Sequence, residues 1–194
     1  MVQESGRKKI NLALQGGGAY GAFTWGVLDH ILQDGRLDIV GVTGASAGAI
    51  NAIMLTDGLA RGGPDEARNR LADFWRAASI NGKLPELQRK VVDGLLWPTK
   101  IWLEVVCRFQ QGPLAPPIIS PYDFNLLDIN PLKDLIERFV DFEAIRKCQV
   151  PKLFVSATNV ETGKLRIFSQ DKITAEVVAA SACLSNLFRA VEMS

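Results

Sequence analysis

The stretch VTGASAGAINA, residues 42–52, sets a single serine among glycines and alanines directly after a β-branched run. One reading is a tight turn into a helix. The other is a nucleophile, Ser46, whose neighbours are small because only small residues fit where a strand turns sharply into a helix. In the second reading Gly44 and Gly48, two before and two after the serine, lack the bulk that would collide with the meeting elements. Ala45 and Ala47 keep the surroundings open, and a helix starting after Ser46 offers its positive dipole end to an incipient alkoxide.

Working outward, LDIVGVTG (37–44) reads as a buried strand, and the helix after Ser46 reaches about Leu59. Upstream, KINLALQ (9–15) is a short apolar strand, followed at once by GGGAYG and by a helix that closes near Gly35. Two successive β-loop-α units predict an α/β fold, a three-layer sandwich with a mainly parallel central sheet. Parallel neighbours bring both loops to the carboxyl edge of the sheet, where open α/β sheets carry their sites.

Downstream, GGPDEARNRLADFWRAAS starts a further helix, with Pro64, Asp65 and Glu66 in its first turn and Ala67, Leu71, Phe74 and Ala78 on one face. INPLKDLIERFVDFEAIRK predicts an amphipathic helix and a short one, VPKLFVSATNV and LRIFS a strand and its hairpin partner, and TAEVVAASACLSNLF a final helix. The predicted organisation is an N-terminal tail (1–8) and one domain (9–194), with an aromatic, proline-broken insertion at about 84–131 that contains Trp97 and Trp102. That insertion reads as core, as an acyl-chain-binding lid or as an interfacial patch.

Bulk composition narrows the function. The 194 residues carry a formal net charge of +1, without the basic excess of a nucleic-acid binder. Three widely spaced cysteines and one histidine form no zinc-binding pattern, so no metal is expected, and reduced thiols suggest a cytoplasmic setting. The charge-free run 39–56 is too rich in Gly, Ala, Ser, Thr and Asn for a spanning helix.

The second motif is Gly16-Gly17-Gly18-Ala19-Tyr20-Gly21, a GXGXXG with Gly16, Gly18 and Gly21 at its marked positions. A dinucleotide site would place an acid at the end of the second strand, but that strand ends in Thr43-Gly44, with Asp38 at its start. Bare backbone at Gly16, Gly17 and Gly18 suits the N–H donors that a tetrahedral oxyanion needs. His30, the only histidine, precedes the serine and lies about 13 Å along the first helix, which argues against a Ser-His-Asp triad. The base must then be a carboxylate or an amine. Asp57, about three helical turns beyond Ser46, and Glu161, in a hairpin turn, fit poorly, and Thr158-Asn159 ends a strand in an amide.

LALQGGGAYGAF, VTGASAGAINA, SPYDFNLLDINPLKDLIERFVDFEAIR and LFVSATNVETGKLRIF…AASACLSNLF together resemble the bacterial patatin-like phospholipases over nearly the whole chain. The resemblance implies a cytosolic or secreted lipid acyl hydrolase with a Ser-Asp dyad, Ser46 as nucleophile, Gly16-Gly17-Gly18 as oxyanion loop and no cofactor. It implies a lipid or ester as substrate, with peripheral contact at a membrane. Tyr20 departs from the basic residue many members carry in the loop. The aspartate is expected in an Asp-Gly motif after the final helix, whereas the Asp-Gly pairs here begin at 34, 57 and 93. The expectation is a chain that stops before its base and is nearly inactive alone. Two alternatives remain: an inactive acyl-binding or regulatory module, and a nucleotide-binding domain.

Overall fold

A computed structural model describes residues 7–79, 131–183 and 190–193. The insertion at about 84–131, with Trp97 and Trp102, lies outside them, as does all but residue 7 and Lys8 of the tail.

Strands β1 (Lys8–Leu14), β2 (Leu37–Ala45), β3 (Lys152–Thr158) and β4 (Leu165–Ser169) form one sheet in that order. The first three are parallel and β4 returns antiparallel through the 159–164 turn, so the expected α/β architecture with a mainly parallel sheet is what the chain adopts. The β1–β2 register slips between Ile10 and Asn11, leaving Val40 as the extra residue.

Helix α1 (Gly21–Asp34) links β1 to β2 and ends where Gly35 takes a left-handed conformation. Helix α2 (Ala47–Ala78) joins the two helices that the sequence suggests separately: they meet at Gly63, φ 77°, with Pro64 opening the second half. That geometry folds α2 back on itself, and Gly58 lies against Ala67 with no room for a Cβ. Helices α3 (Pro131–Phe139), α4 (Phe142–Lys147) and α5 (Ala175–Ser181) complete the described elements.

Steps from β1 to β2 and from β2 to β3 run in the same direction, so right-handed crossovers lay α1 and α2 on one face of the sheet. Ile10, Leu12, Leu14, Val42, Leu153, Val155 and Phe168 point into that layer. The opposite face carries Ala13, Thr43, Phe154, Leu165 and Ile167, all exposed among the described residues.

The core centres on the first half of α2, where every residue from Ala47 to Gly58 is buried. Such a helix must be small on its sheet side, which Gly48, Ala49 and Ala52 provide. Ala67, Leu71 and Phe74 are buried as expected, but Ala78 is exposed, because it is the last residue of the helix, at the surface.

Candidate active site

Ser46 stands between the last residue of β2 and the first of α2. Its backbone, at φ 54° and ψ −123°, is the one non-glycine positive φ among the described residues. Such a conformation costs on the order of 1–3 kcal/mol and persists only where its surroundings enforce it.

Several contacts enforce it. The Ser46 carbonyl accepts from the Ala49 and Ile50 N–H groups, at 2.9 and 3.2 Å, which starts the helix. The Ser46 N–H donates to Ser181 Oγ at 2.9 Å, and that hydroxyl donates to the Ser156 carbonyl at 2.7 Å. A Cβ on Gly44 would lie 2.5 Å from the Gly48 carbonyl carbon, and one on Gly48 2.8 Å from the Gln15 carbonyl oxygen, so neither position admits a side chain. A serine opening a helix commonly caps it through its side chain. Ser46 Oγ makes no such bond and stays half-buried at the head of α2.

The glycine-rich loop runs alongside. A Cβ on Gly16 would lie 3.0 Å from Ser46 Cβ, so the two loops touch at this point. Gly17 and Gly18 differ: a Cβ on Gly18 would meet nothing within 4 Å, and on Gly17 only Tyr20 Cβ at 3.5 Å. Gly18, at φ 55°, begins a 3-10 turn (Gly18–Tyr20) that leads into α1. Gly21 again is packed, since a Cβ there would reach the Trp75 ring at 2.6 Å and Ala47 Cβ at 2.8 Å.

Asn51, fully buried, ties the loops together: its Nδ2 donates to the Gly21 carbonyl at 2.9 Å, and its Oδ1 accepts from Trp75 Nε1 at 2.8 Å. Sequence reading passed over Asn51, Trp75 and Ser181. The Asn at the third position after Gly48 was the available signal; Ser181, in a run of small residues, offered none.

A shallow hollow of about 290 Å³ opens at the same carboxyl edge, lined by Ala13, Leu14, Gln15, Thr43, Gly44, Ala45 and Ser156. His30 is exposed on α1, nine residues past its start. Asp38 is the second residue of β2, far from the edge a ribose would occupy.

The carboxylates are engaged elsewhere. Asp57 is fully buried, accepts from the Asp141 N–H at 3.1 Å, and has Arg70 and Arg61 at 3.7 and 3.9 Å. Burial pushes its carboxyl above the ordinary range, against the weaker opposing pull of the Asp141 N–H and the two arginines. Glu161 is exposed in the β3–β4 turn. Glu176, bonded to Lys133 and Thr174, is held down to about 2, too weak a base for a serine hydroxyl.

Among the described residues no group of three His, Cys, Asp or Glu could hold a metal ion. No helix there is long and apolar enough to cross a membrane. Cys148 is a free thiol, and its Sγ donates to the Val150 carbonyl at 3.0 Å.

Solved structures similar to this chain include the heterodimeric ExoU-SpcU complex from the type III secretion system of Pseudomonas aeruginosa, at 17% identity and TM-score 0.42, with 91% of this chain and 36% of that one covered. The type III effector ExoU is 20% identical at TM-score 0.46, covering 91% and 40%. VipD from Legionella pneumophila is 16% identical at TM-score 0.44, covering 94% and 43%. The chain therefore spans less than half the length of each. No curated protein matches it. A family description does: Patatin-like phospholipase, matched over residues 12–194. With the match spanning nearly the whole chain and both glycine motifs, the chain belongs to the patatin-like phospholipase family.

Proposed function

We propose that the chain carries the nucleophile and oxyanion loop of a serine acyl hydrolase that cleaves ester bonds of phospholipids or related lipids. The observation that carries this reading is the strained Ser46 turn, its hydroxyl making no cap bond to α2, touching a loop whose Gly18 meets no neighbour among the described residues. In the reaction Ser46 Oγ gives its proton to a base and attacks the ester carbonyl carbon. The carbonyl oxygen becomes an oxyanion held by N–H groups of the Gly16-Gly17-Gly18 loop. Collapse expels the alcohol, which takes the proton from the base, and water then releases the fatty acid from the acyl-serine.

The base is a carboxylate supplied from outside the described residues, in keeping with the Ser-Asp dyad that the family resemblance implies. Proton transfer typically contributes 10²–10⁴-fold, so Ser46 without that carboxylate is slow toward esters. Tyr20 and Phe23, 84% and 77% exposed beside the glycine loop, support peripheral contact with a membrane surface.

The test is p-nitrophenyl ester hydrolysis and fluorophosphonate labelling of this chain, its Ser46→Ala variant, and a longer form that includes an Asp-Gly motif. Labelling confined to Ser46, with the longer form faster by about 10²-fold or more, is the expected result. Hydrolysis that survives Ser46→Ala overturns the assignment, and an inert longer form favours an acyl-binding module. Saturable stabilisation by a nicotinamide or flavin nucleotide would favour the nucleotide-binding reading instead.

A further inference from the structure

The amide that enters the strained turn is turned away from α2 and toward the last residue of α5. There the Ser46 N–H donates to Ser181 Oγ at 2.9 Å, and Ser181 donates onward to the Ser156 carbonyl at 2.7 Å. The two serines are 135 residues apart in sequence, and the relay joins three elements at one point: the β2–α2 turn, strand β3 and helix α5.

We propose that Ser181 is a positioning residue for the nucleophile: its hydroxyl clamps the Ser46 turn to β3 and fixes the direction in which Ser46 Oγ projects. A part-buried amide requires an acceptor, and this one belongs to a residue in an unfavourable backbone region. A hydroxyl is suited to the place because it accepts and donates at once. Having given its proton to the Ser156 carbonyl, Ser181 presents a lone pair to Ser46, and each bond polarises the other. Alanine would offer neither. Buried Ala179 and half-buried Ala180 and Ala182 let the helix end come this close to the strand.

A second consequence concerns the oxyanion. With its N–H committed to Ser181, Ser46 contributes no backbone donor of its own to the oxyanion. This role rests on Ser46 being the nucleophile, but the clamp is a bond to one amide and can be read without turnover.

Amide hydrogen exchange, followed by NMR on the 194-residue chain, tests it. Ser181→Ala is expected to speed exchange at the Ser46 N–H about tenfold or more, with Ile53 in the core of α2 unchanged, and Ser181→Thr is expected to restore protection. Equal protection in wild type and Ser181→Ala overturns the clamp. Should Ser181→Ala fail to fold, Ser181→Cys, nearly isosteric with a weaker acceptor, must exchange faster than Ser181→Thr, and equality overturns the proposal. Fluorophosphonate labelling of Ser46 is expected to slow in step and to recover in Ser181→Thr. Fast exchange with unchanged labelling overturns the positioning role. A longer form with an Asp-Gly motif that is never labelled at Ser46 counts against the hydrolase reading, while exchange still decides the clamp.

Discussion

The two glycine-bearing loops lie side by side at one sheet edge, yet their glycines serve opposite ends. Around Ser46 the glycines let protein in: Gly44 and Gly48 are pressed against each other and against the end of β1, with backbone where a side chain would stand. In the neighbouring loop Gly16 and Gly21 are packed too, against the side chains of Ser46, Trp75 and Ala47, but among the described residues nothing presses on Gly18 and only Tyr20 touches the place of a Gly17 Cβ. A motif glycine can thus admit either the fold or a ligand, and only the local packing tells which. Substitutions should accordingly separate stability from chemistry, loop by loop.

The largest effect is expected at Gly48. Gly48→Val forces a branched side chain into the backbone of Leu14 and Gln15 and should cost about 4 kcal/mol or more, read as a collapsed thermal transition in circular dichroism. A variant that melts within a few degrees of wild type would erase the contrast between the loops.

Asn51 is the strut between them, and its loss comes next. Asn51→Leu leaves the Trp75 indole N–H without its acceptor and frees Gly21, at a cost of about 2 kcal/mol in urea unfolding. Fluorophosphonate labelling of Ser46 should slow as well, because the glycine loop loses its anchor to α2.

Gly18→Ala sharpens the comparison from the open side. The methyl meets no neighbour, but φ 55° disfavours it, so about 1 kcal/mol is expected. Under the proposed oxyanion role of this loop, labelling should fall by more than that loss accounts for, because the methyl would crowd the approaching carbonyl oxygen. Equal losses in folding and labelling would make this loop structural like the other.

The smallest effect belongs to a carboxylate remote from both loops. Burial raises the Asp57 pKa, so its ionised form is disfavoured in the fold. Stability from this group is therefore highest below the ordinary carboxylate range and falls as pH rises through the raised folded value. Asp57→Asn keeps an oxygen for the Asp141 N–H and lacks that fall. The stability difference should move in its favour between about pH 3 and pH 7, checked by urea melts at both.

These contrasts also mark what the sequence could convey. The strands, the glycine motifs and the serine at the β2–α2 turn were legible because each is a local pattern of period and turn chemistry. Asp57 was read as an ill-placed candidate base, and its burial against Arg70 and Asp141 depends on α2 folding back at Gly63, which spacing does not encode. Ser181 was invisible for a related reason: a serine in AASAC is unremarkable until the fold brings it to an amide 135 residues away. Ala78, placed inward by helical period, turned out exposed because periodicity says nothing about where a helix meets solvent.

Burial of the first half of α2 has a consequence for how the protein comes apart. A helix covered on all sides from Ala47 to Gly58 cannot fray by itself; it opens only when the sheet and its covering helices separate. The Ser46 geometry at its head is then part of the cooperative unit, lost in the same transition as the whole fold and not in some cheaper partial opening. Under rising denaturant, the fraction of molecules with an intact serine turn should track the fraction still native.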